Sequence, residues 1–61
     1  MTRSDLLARL RALAEEMTDI GTAMDYYGGF DGRMSQHGME LCGAASLVRE
    51  WVGEIEGNEP S

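Results

Sequence analysis

Large apolar residues recur along the first half of the chain at alternating steps of four and three positions. They are Leu6, Leu10, Leu13, Met17, Ile20, Met24 and Tyr27. This spacing places them along one side of an α-helix in an unbroken heptad pattern. We refer to them as the α1 stripe. The pattern predicts an amphipathic helix over residues 3–27 whose apolar side is covered by another element.

Beside the α1 stripe runs a second line of residues spaced by seven: Leu7, Ala14, Gly21 and Gly28. Its side chains become smaller toward the end of the helix, which would let another backbone come close. Glycine inside a helix costs about 1 kcal/mol relative to alanine, so Gly21 needs a reason. Close packing is the interpretation we favour, and a hinge is the alternative.

The second half of the chain carries a similar four-three pattern, from Met34 to Ile55, and predicts a helix over residues 33–56. A further line, His37, Ala44 and Trp51, lies beside it at sevenfold spacing. Together the two lines make an apolar face wider than one helix can cover. We therefore expect an all-α fold, an antiparallel two-helix hairpin that dimerises into a four-helix bundle. The predicted dimer and core residues are Leu6, Leu10, Leu13, Met17, Ile20, Met24, Leu41, Ala45, Val48, Trp51, Val52 and Ile55.

The only strong break lies between the two patterns and predicts a turn at residues 28–32. Gly28 and Gly29 permit positive φ, and Asp31 is suited to cap the next helix, with Ser35 as a competing start. Thr2 and Asp5 have the spacing of a capping box for the first helix. Residues 57–61 are expected to form a frayed acidic tail, so the whole chain is one hairpin domain.

The small size and the composition of the chain also favour association with a second copy. A chain of 61 residues is too short for a large core and usually needs a disulfide, a metal or a partner subunit. Cys42 is the only cysteine, and one cysteine with one histidine makes a poor structural metal site. A second copy is the remaining option, and no cofactor is expected.

The charge is strongly acidic, with eleven acidic residues against five basic ones and a net charge of −6. The five basic residues, all arginines, are too few for a basic face on so acidic a chain, so direct binding of nucleic acid is not expected. A basic protein partner fits better. The arginines of the first helix, which crowd its N-terminal half, would lie near Glu50, Glu54 and Glu56 in an antiparallel hairpin. Neither a signal peptide nor a membrane span is expected, which favours a cytoplasmic location in a bacterium or an infected host cell.

Candidate chemistry is limited to His37, Glu40 and Cys42. His37 and Cys42 point about 140° apart on a helix, which does not suit a catalytic pair. His37 and Glu40 share a face and could form a hydrogen bond. The sequence therefore predicts neither catalytic residues nor an enzyme. If Cys42 faces its copy across a dimer axis, oxidation could link the two chains.

Three of the four aromatic residues cluster at the turn, beside flexible glycines. Exposed aromatic residues are common anchors for protein partners. The predicted partner-binding residues are Tyr26, Tyr27, Phe30, Asp31, Glu50 and Glu54. The alternative, favoured for Tyr27, is that Tyr27 and Phe30 cover the core at the loop end of the hairpin.

The layout of two heptad helices, one turn and a polar tail resembles the Rop family of plasmid-copy-number proteins. That resemblance implies a dimeric four-helix bundle that binds paired RNA, but the first helix lacks the lysines for the RNA-binding role. The size and acidity are also similar to small phage proteins that disarm bacterial defences, such as anti-CRISPR inhibitors. We therefore expect a non-catalytic protein-binding module, an inhibitor that occludes a nucleic-acid-handling host protein. The alternatives are a Rop-like regulator of nucleic acid and a structural subunit of a larger assembly.

Overall fold

The fold is an antiparallel helical hairpin. A computed structural model describes residues 1–58, apart from the side chain of Phe30. Helix α1 spans Arg3–Tyr27, a 3₁₀ turn spans Gly28–Phe30, and helix α2 spans Gly32–Gly57. Within these residues there is no strand. The predictions of an all-α fold and of a helical hairpin are confirmed.

Both helices begin at side-chain caps that the sequence predicted. The Thr2 hydroxyl accepts a hydrogen bond from the Asp5 amide at 3.1 Å, and the Asp5 carboxylate accepts one from the Thr2 amide at 3.3 Å. The Asp31 carboxylate accepts hydrogen bonds from the amides of Arg33 (3.1 Å) and Met34 (3.4 Å). Helix α2 therefore starts at Gly32, and Ser35 lies within its first turns.

Gly28 in the turn is needed for space and not for positive φ. No described glycine has a positive φ, and Gly28 lies at −82°. A Cβ atom at Gly28, however, would lie 2.7 Å from the Ser35 amide nitrogen. The chain therefore does not use the positive φ that these glycines permit, and it reverses through a tight 3₁₀ turn in which α2 crosses close to Gly28.

Apart from Leu7, the core of the hairpin is built from residues no larger than valine. The second line of α1, Leu7, Ala14, Gly21 and Gly28, is buried. Facing it from α2 are the buried residues Gly38, Ala45, Val48 and Val52. The α1 stripe lies beside this contact: Leu6 and Leu13 are 50% exposed and Ile20 is 44% exposed. Within one chain the α1 stripe is covered only in part, with Leu10, Met17 and Met24 half-buried, because the line of smaller side chains allows closer contact between the helices.

The helices come closest at two glycines. A Cβ atom at Gly21 would lie 2.6 Å from the Gly38 carbonyl oxygen, and one at Gly38 would lie 2.6 Å from the Gly21 carbonyl oxygen. Each glycine therefore makes room for the backbone of the other. The interpretation of Gly21 as a close-packing residue is confirmed.

At the open end of the hairpin, which is the end opposite the loop, arginines of α1 contact the C-terminal residues of α2. An Arg3 Nη donates a hydrogen bond to the Ile55 carbonyl oxygen at 2.9 Å, and Arg11 forms an ion pair with Glu56. Cations near the C-terminus of a helix interact favourably with its unpaired carbonyls. The predicted meeting of arginines with the acidic end of α2 is confirmed for Glu56. The predicted tail falls partly outside the described residues: Gly57 belongs to α2, Asn58 is its C-cap, and residues 59–61 are not described.

Candidate interaction surface

One flank of the hairpin is polar, and Thr18 lies at its centre. The Thr18 hydroxyl donates to the Ala14 carbonyl oxygen at 2.9 Å and accepts from an Arg49 Nη at 2.9 Å. The Cys42 thiol donates to the Thr18 carbonyl oxygen at 3.8 Å. These contacts fix the rotation of α2 relative to α1. The sequence patterns missed Thr18, although its position one turn after Ala14 places it at the edge of the buried line.

The polar contacts continue toward both ends of this flank. The Ser35 hydroxyl donates to the Asp25 carboxylate at 2.6 Å near the turn, and Arg11 pairs with Glu56 at the open end. A shallow open cleft of about 280 Å³ lies between Arg11 and Arg49. Both guanidinium groups already have protein acceptors, Glu56 and Thr18. The polar side chains of this flank are therefore paired with one another across the two helices.

The opposite flank is apolar. At 100° per residue, the α1 stripe lies about 60–100° from the buried line, on the side away from Thr18. On α2 the same side carries Leu41, Trp51 and Ile55, with Met34 near the turn. Trp51 is 47% exposed, and Met34 and Ile55 are also exposed. We call this surface, made of the α1 stripe from Leu6 to Met24 and these four residues of α2, the apolar flank.

The loop end carries an exposed aromatic pair. Tyr26 is 80% exposed and Tyr27 is 75% exposed, and their rings meet edge to face with centroids 5.0 Å apart. The prediction that Tyr27 closes the end of the hairpin core is therefore wrong for the single chain, because the ring points outward and packs on its neighbour. The same prediction for Phe30 concerns a side chain outside the described part of the structure.

The predicted partner-binding residues are divided between the two ends of the hairpin. Tyr26, Tyr27 and Asp31 lie at the loop end, where the Asp31 carboxylate is occupied by its helix cap. Glu50 and Glu54 are exposed on the last turns of α2. Asp31 and Glu50 are 19 residues apart, which is about 29 Å along a helix. One hairpin therefore does not bring these two groups together.

The candidate chemical residues do not form a reactive site. His37 Nδ1 and Glu40 Oε1 lie 2.6 Å apart on the surface, which confirms the predicted pair. Cys42 lies on the polar flank beside Thr18 and Thr22 and does not share the apolar flank. Among residues 1–58, no group of three or more His, Cys, Asp or Glu side chains is placed to hold a metal ion.

None of the described helices combines the length and the apolar character that crossing a membrane requires. The chain matches no protein-family model, no curated protein and no solved structure.

Proposed function

We propose that this chain is a non-catalytic protein-interaction module that pairs with a second copy through the apolar flank to form a four-helix bundle. The observation that carries the proposal is the position of the largest apolar side chains. Most of them lie on one continuous flank, where Leu6, Leu13 and Trp51 are exposed, while the buried core apart from Leu7 is built from smaller residues. Isolated exposed apolar residues are ordinary, but a continuous patch of this kind marks an interaction surface.

The exposed area supports a partner of this size. A compact monomer of 6.7 kDa is expected to expose about 3,900 Å², whereas the hairpin exposes 4676 Å². The excess is about 800 Å², which is the area that one partner contributes to a standard interface. A second copy supplies an identical flank of matching length, as a two-fold symmetric interface requires.

The shape leads to the same conclusion. The hairpin measures 50 × 18 × 12 Å and has a radius of gyration of 14.2 Å. A compact chain of this length would have a radius of gyration of about 10.5 Å, and a compact body of twice the length about 13.7 Å. Stacking a second hairpin on the apolar flank thickens the shortest dimension and adds little to the longest. The elongated hairpin thus has the proportions of half a bundle.

The remaining outer surface of such a dimer is acidic. Each chain carries a net charge of −6, and the exposed Glu50 and Glu54 make no ion pair with residues 1–58. A surface of this kind steers a basic partner into contact. We propose that the bundle binds a basic, nucleic-acid-handling protein and occludes the surface with which that protein contacts nucleic acid.

The dimer is tested by sedimentation equilibrium with two matched leucine variants. Leu13 on the apolar flank is 50% exposed, and Leu47 on the outer face of α2 is 46% exposed. Leu13→Lys would bury an unpaired charge at the interface, at a cost of several kcal/mol, and should yield single hairpins. Leu47→Lys should remain dimeric. A wild-type chain that sediments as a monomer at high micromolar concentration would refute the dimer.

The partner is tested by affinity capture with the wild-type chain and the double variant Glu50→Gln, Glu54→Gln. We expect the wild-type chain to recover a basic nucleic-acid-handling protein, in a salt-sensitive complex that the double variant weakens. Undiminished capture by the double variant would contradict the assigned role of these carboxylates. Direct binding of RNA or DNA by the purified chain, with affinity falling steeply in salt, would replace the proposal by nucleic-acid binding.

A further inference from the structure

We infer that the two copies pair with their loops at opposite ends, with Ala44 on the two-fold axis and Trp51 of each copy over His37 of the other. This inference rests on the proposed dimer and adds its arrangement. It starts from a symmetry that the two helices of one chain share.

From Leu6 to Met24 the α1 stripe is symmetric about residue 15, which is also the midpoint of Arg3–Tyr27. An antiparallel copy of α1 therefore places Leu6 opposite Met24, Leu10 opposite Ile20, and Leu13 opposite Met17. Every large residue of the stripe between Leu6 and Met24 meets another large residue of the stripe. The stripe alone thus accepts a two-fold axis at the level of residue 15.

The outer line of α2 has the same property. His37 and Trp51 lie seven residues on either side of Ala44, at the middle of Gly32–Gly57. Trp51 is large and half exposed, whereas Ala44 is small and exposed. When a second α2 packs antiparallel against the first, Ala44 of one copy meets Ala44 of the other on the two-fold axis. Each tryptophan lies over the histidine of the other copy, so large and small groups alternate.

The two axes coincide. Gly21 lies against Gly38, and Arg3 donates to the carbonyl oxygen of Ile55. Residues of α1 and α2 that lie at the same height along the hairpin therefore have numbers that add to about 59. Residue 15 of α1 is therefore level with Ala44 of α2. One two-fold axis, perpendicular to the helices, serves both apolar patterns.

Charge favours this arrangement over one with both loops at the same end. Residues 16–44, the loop half, carry five acidic residues and one arginine, a net charge of −4. The other half carries six acidic residues and four arginines, a net charge of −2, which completes the total of −6. Loops at the same end would set the two more negative halves side by side. Loops at opposite ends place each loop half beside the half with four arginines.

The arrangement has a consequence for partner binding. The loop end of one copy lies beside the open end of the other, so each end of the bundle carries Tyr26 and Tyr27 from one chain and Glu50 and Glu54 from the other. The predicted partner-binding residues, separated within one hairpin, then share an end of the bundle. The bundle presents this combination of residues at each of its two ends.

Electron spin resonance distances test the arrangement. In a Cys42→Ser background, spin labels are attached at Gly29→Cys in the loop, or at Gly43→Cys near the middle of α2 as the control. A side chain at either glycine meets open space, because no atom lies within 4 Å of an added Cβ. We expect about 40 Å between the Gly29 labels, the length of one helix, and less than about 20 Å between the Gly43 labels, which lie next to the axis on the same side of the bundle.

A Gly29 distance of about 20 Å would overturn the opposite-end arrangement while leaving the dimer intact. Monomeric sedimentation with no intermolecular distance from either label would overturn the dimer and this inference together. Trp51 is the only tryptophan and gives a second readout. His37→Ala should shift its emission in the dimer, whereas Gln36→Ala, on the outer face, should not. An unchanged Trp51 emission in His37→Ala would contradict the contact between Trp51 and His37.

Discussion

Gly21→Ala should destabilise the hairpin even though alanine is the better helix former. The new methyl group would lie 2.6 Å from the Gly38 carbonyl oxygen, where ordinary contact begins near 3.4 Å. The Cys42 sulfur, 2.7 Å from the same position, can rotate away, but the carbonyl belongs to the backbone of α2. The helices must therefore move apart by several tenths of an ångström at their closest point.

Two opposing effects set the magnitude. Replacing glycine by alanine inside a helix stabilises it by about 0.5–1 kcal/mol. Overpacking a closely packed contact costs about 1–3 kcal/mol. The net loss is expected to reach about 2 kcal/mol, which for a domain of this size lowers the melting temperature by about 4–8 °C per kcal/mol.

Gly43→Ala is the matched control, because Gly43 also lies inside a helix but an added Cβ meets nothing within 4 Å. It should gain about 0.5–1 kcal/mol from helix propensity alone. Thermal and urea unfolding of the two variants and the wild type, at one protein concentration, measure both effects. The difference between the two alanine variants isolates the packing cost at Gly21.

Equal stabilisation by Gly21→Ala and Gly43→Ala would refute the close crossing of the helices. It would mean that the backbones at Gly21 and Gly38 stand far enough apart to accept a methyl group. The small-residue core would then lose its explanation, and so would the exposure of the α1 stripe that follows from it.

Two further predictions concern the ends of the hairpin. Asp31→Ala removes the cap of α2 and should lower the free energy of unfolding in urea by about 1 kcal/mol. Asp31→Asn keeps an acceptor oxygen and should lose less than half of that. Equal losses in the two variants would contradict the capping role. The Arg11–Glu56 pair, with side chains 52% and 41% exposed, should show a coupling energy of at most about 1 kcal/mol in a double-mutant cycle with Arg11→Gln and Glu56→Gln, falling further in salt. A larger coupling energy would mean that water is excluded from the pair.

The sequence predicted the elements of the fold well because local patterns determine them. The heptad spacing predicted both helices, and the acceptor side chains of Thr2 and Asp31 marked their starts. Periodicity did not indicate which apolar line faces the partner helix. The line through Leu7 and the line through Leu6 have the same spacing and differ only by a rotation of about 100°. The size of the side chains favoured the wrong line, because the close approach of Gly21 and Gly38 decides the contact and involves residues far apart in sequence.

The candidate surface was predictable only in part for a related reason. A glycine in a turn has two explanations, a positive φ or a lack of room for Cβ, and only the position of Ser35 decides between them at Gly28. The predicted partner residues were chosen by type, as aromatic or acidic, and type carries no information about which end of the hairpin a residue occupies. The relation between the two groups depends on a second copy, whose arrangement is not a local property.

The division of side chains by size has a physical consequence for how this protein is stabilised. Alanine and glycine at the hairpin contact gain little from leaving water, since the hydrophobic effect scales with the apolar area removed. Burial of the larger side chains Leu13, Ile20 and Trp51 on the apolar flank would contribute more hydrophobic free energy, and this contribution is made only when that flank is covered. Folding of the single hairpin should therefore be weak and its stability should rise with protein concentration, as expected when association and folding are linked. A melting temperature that is independent of concentration over a hundredfold range, in a chain that is monomeric throughout, would show that the small-residue core is sufficient.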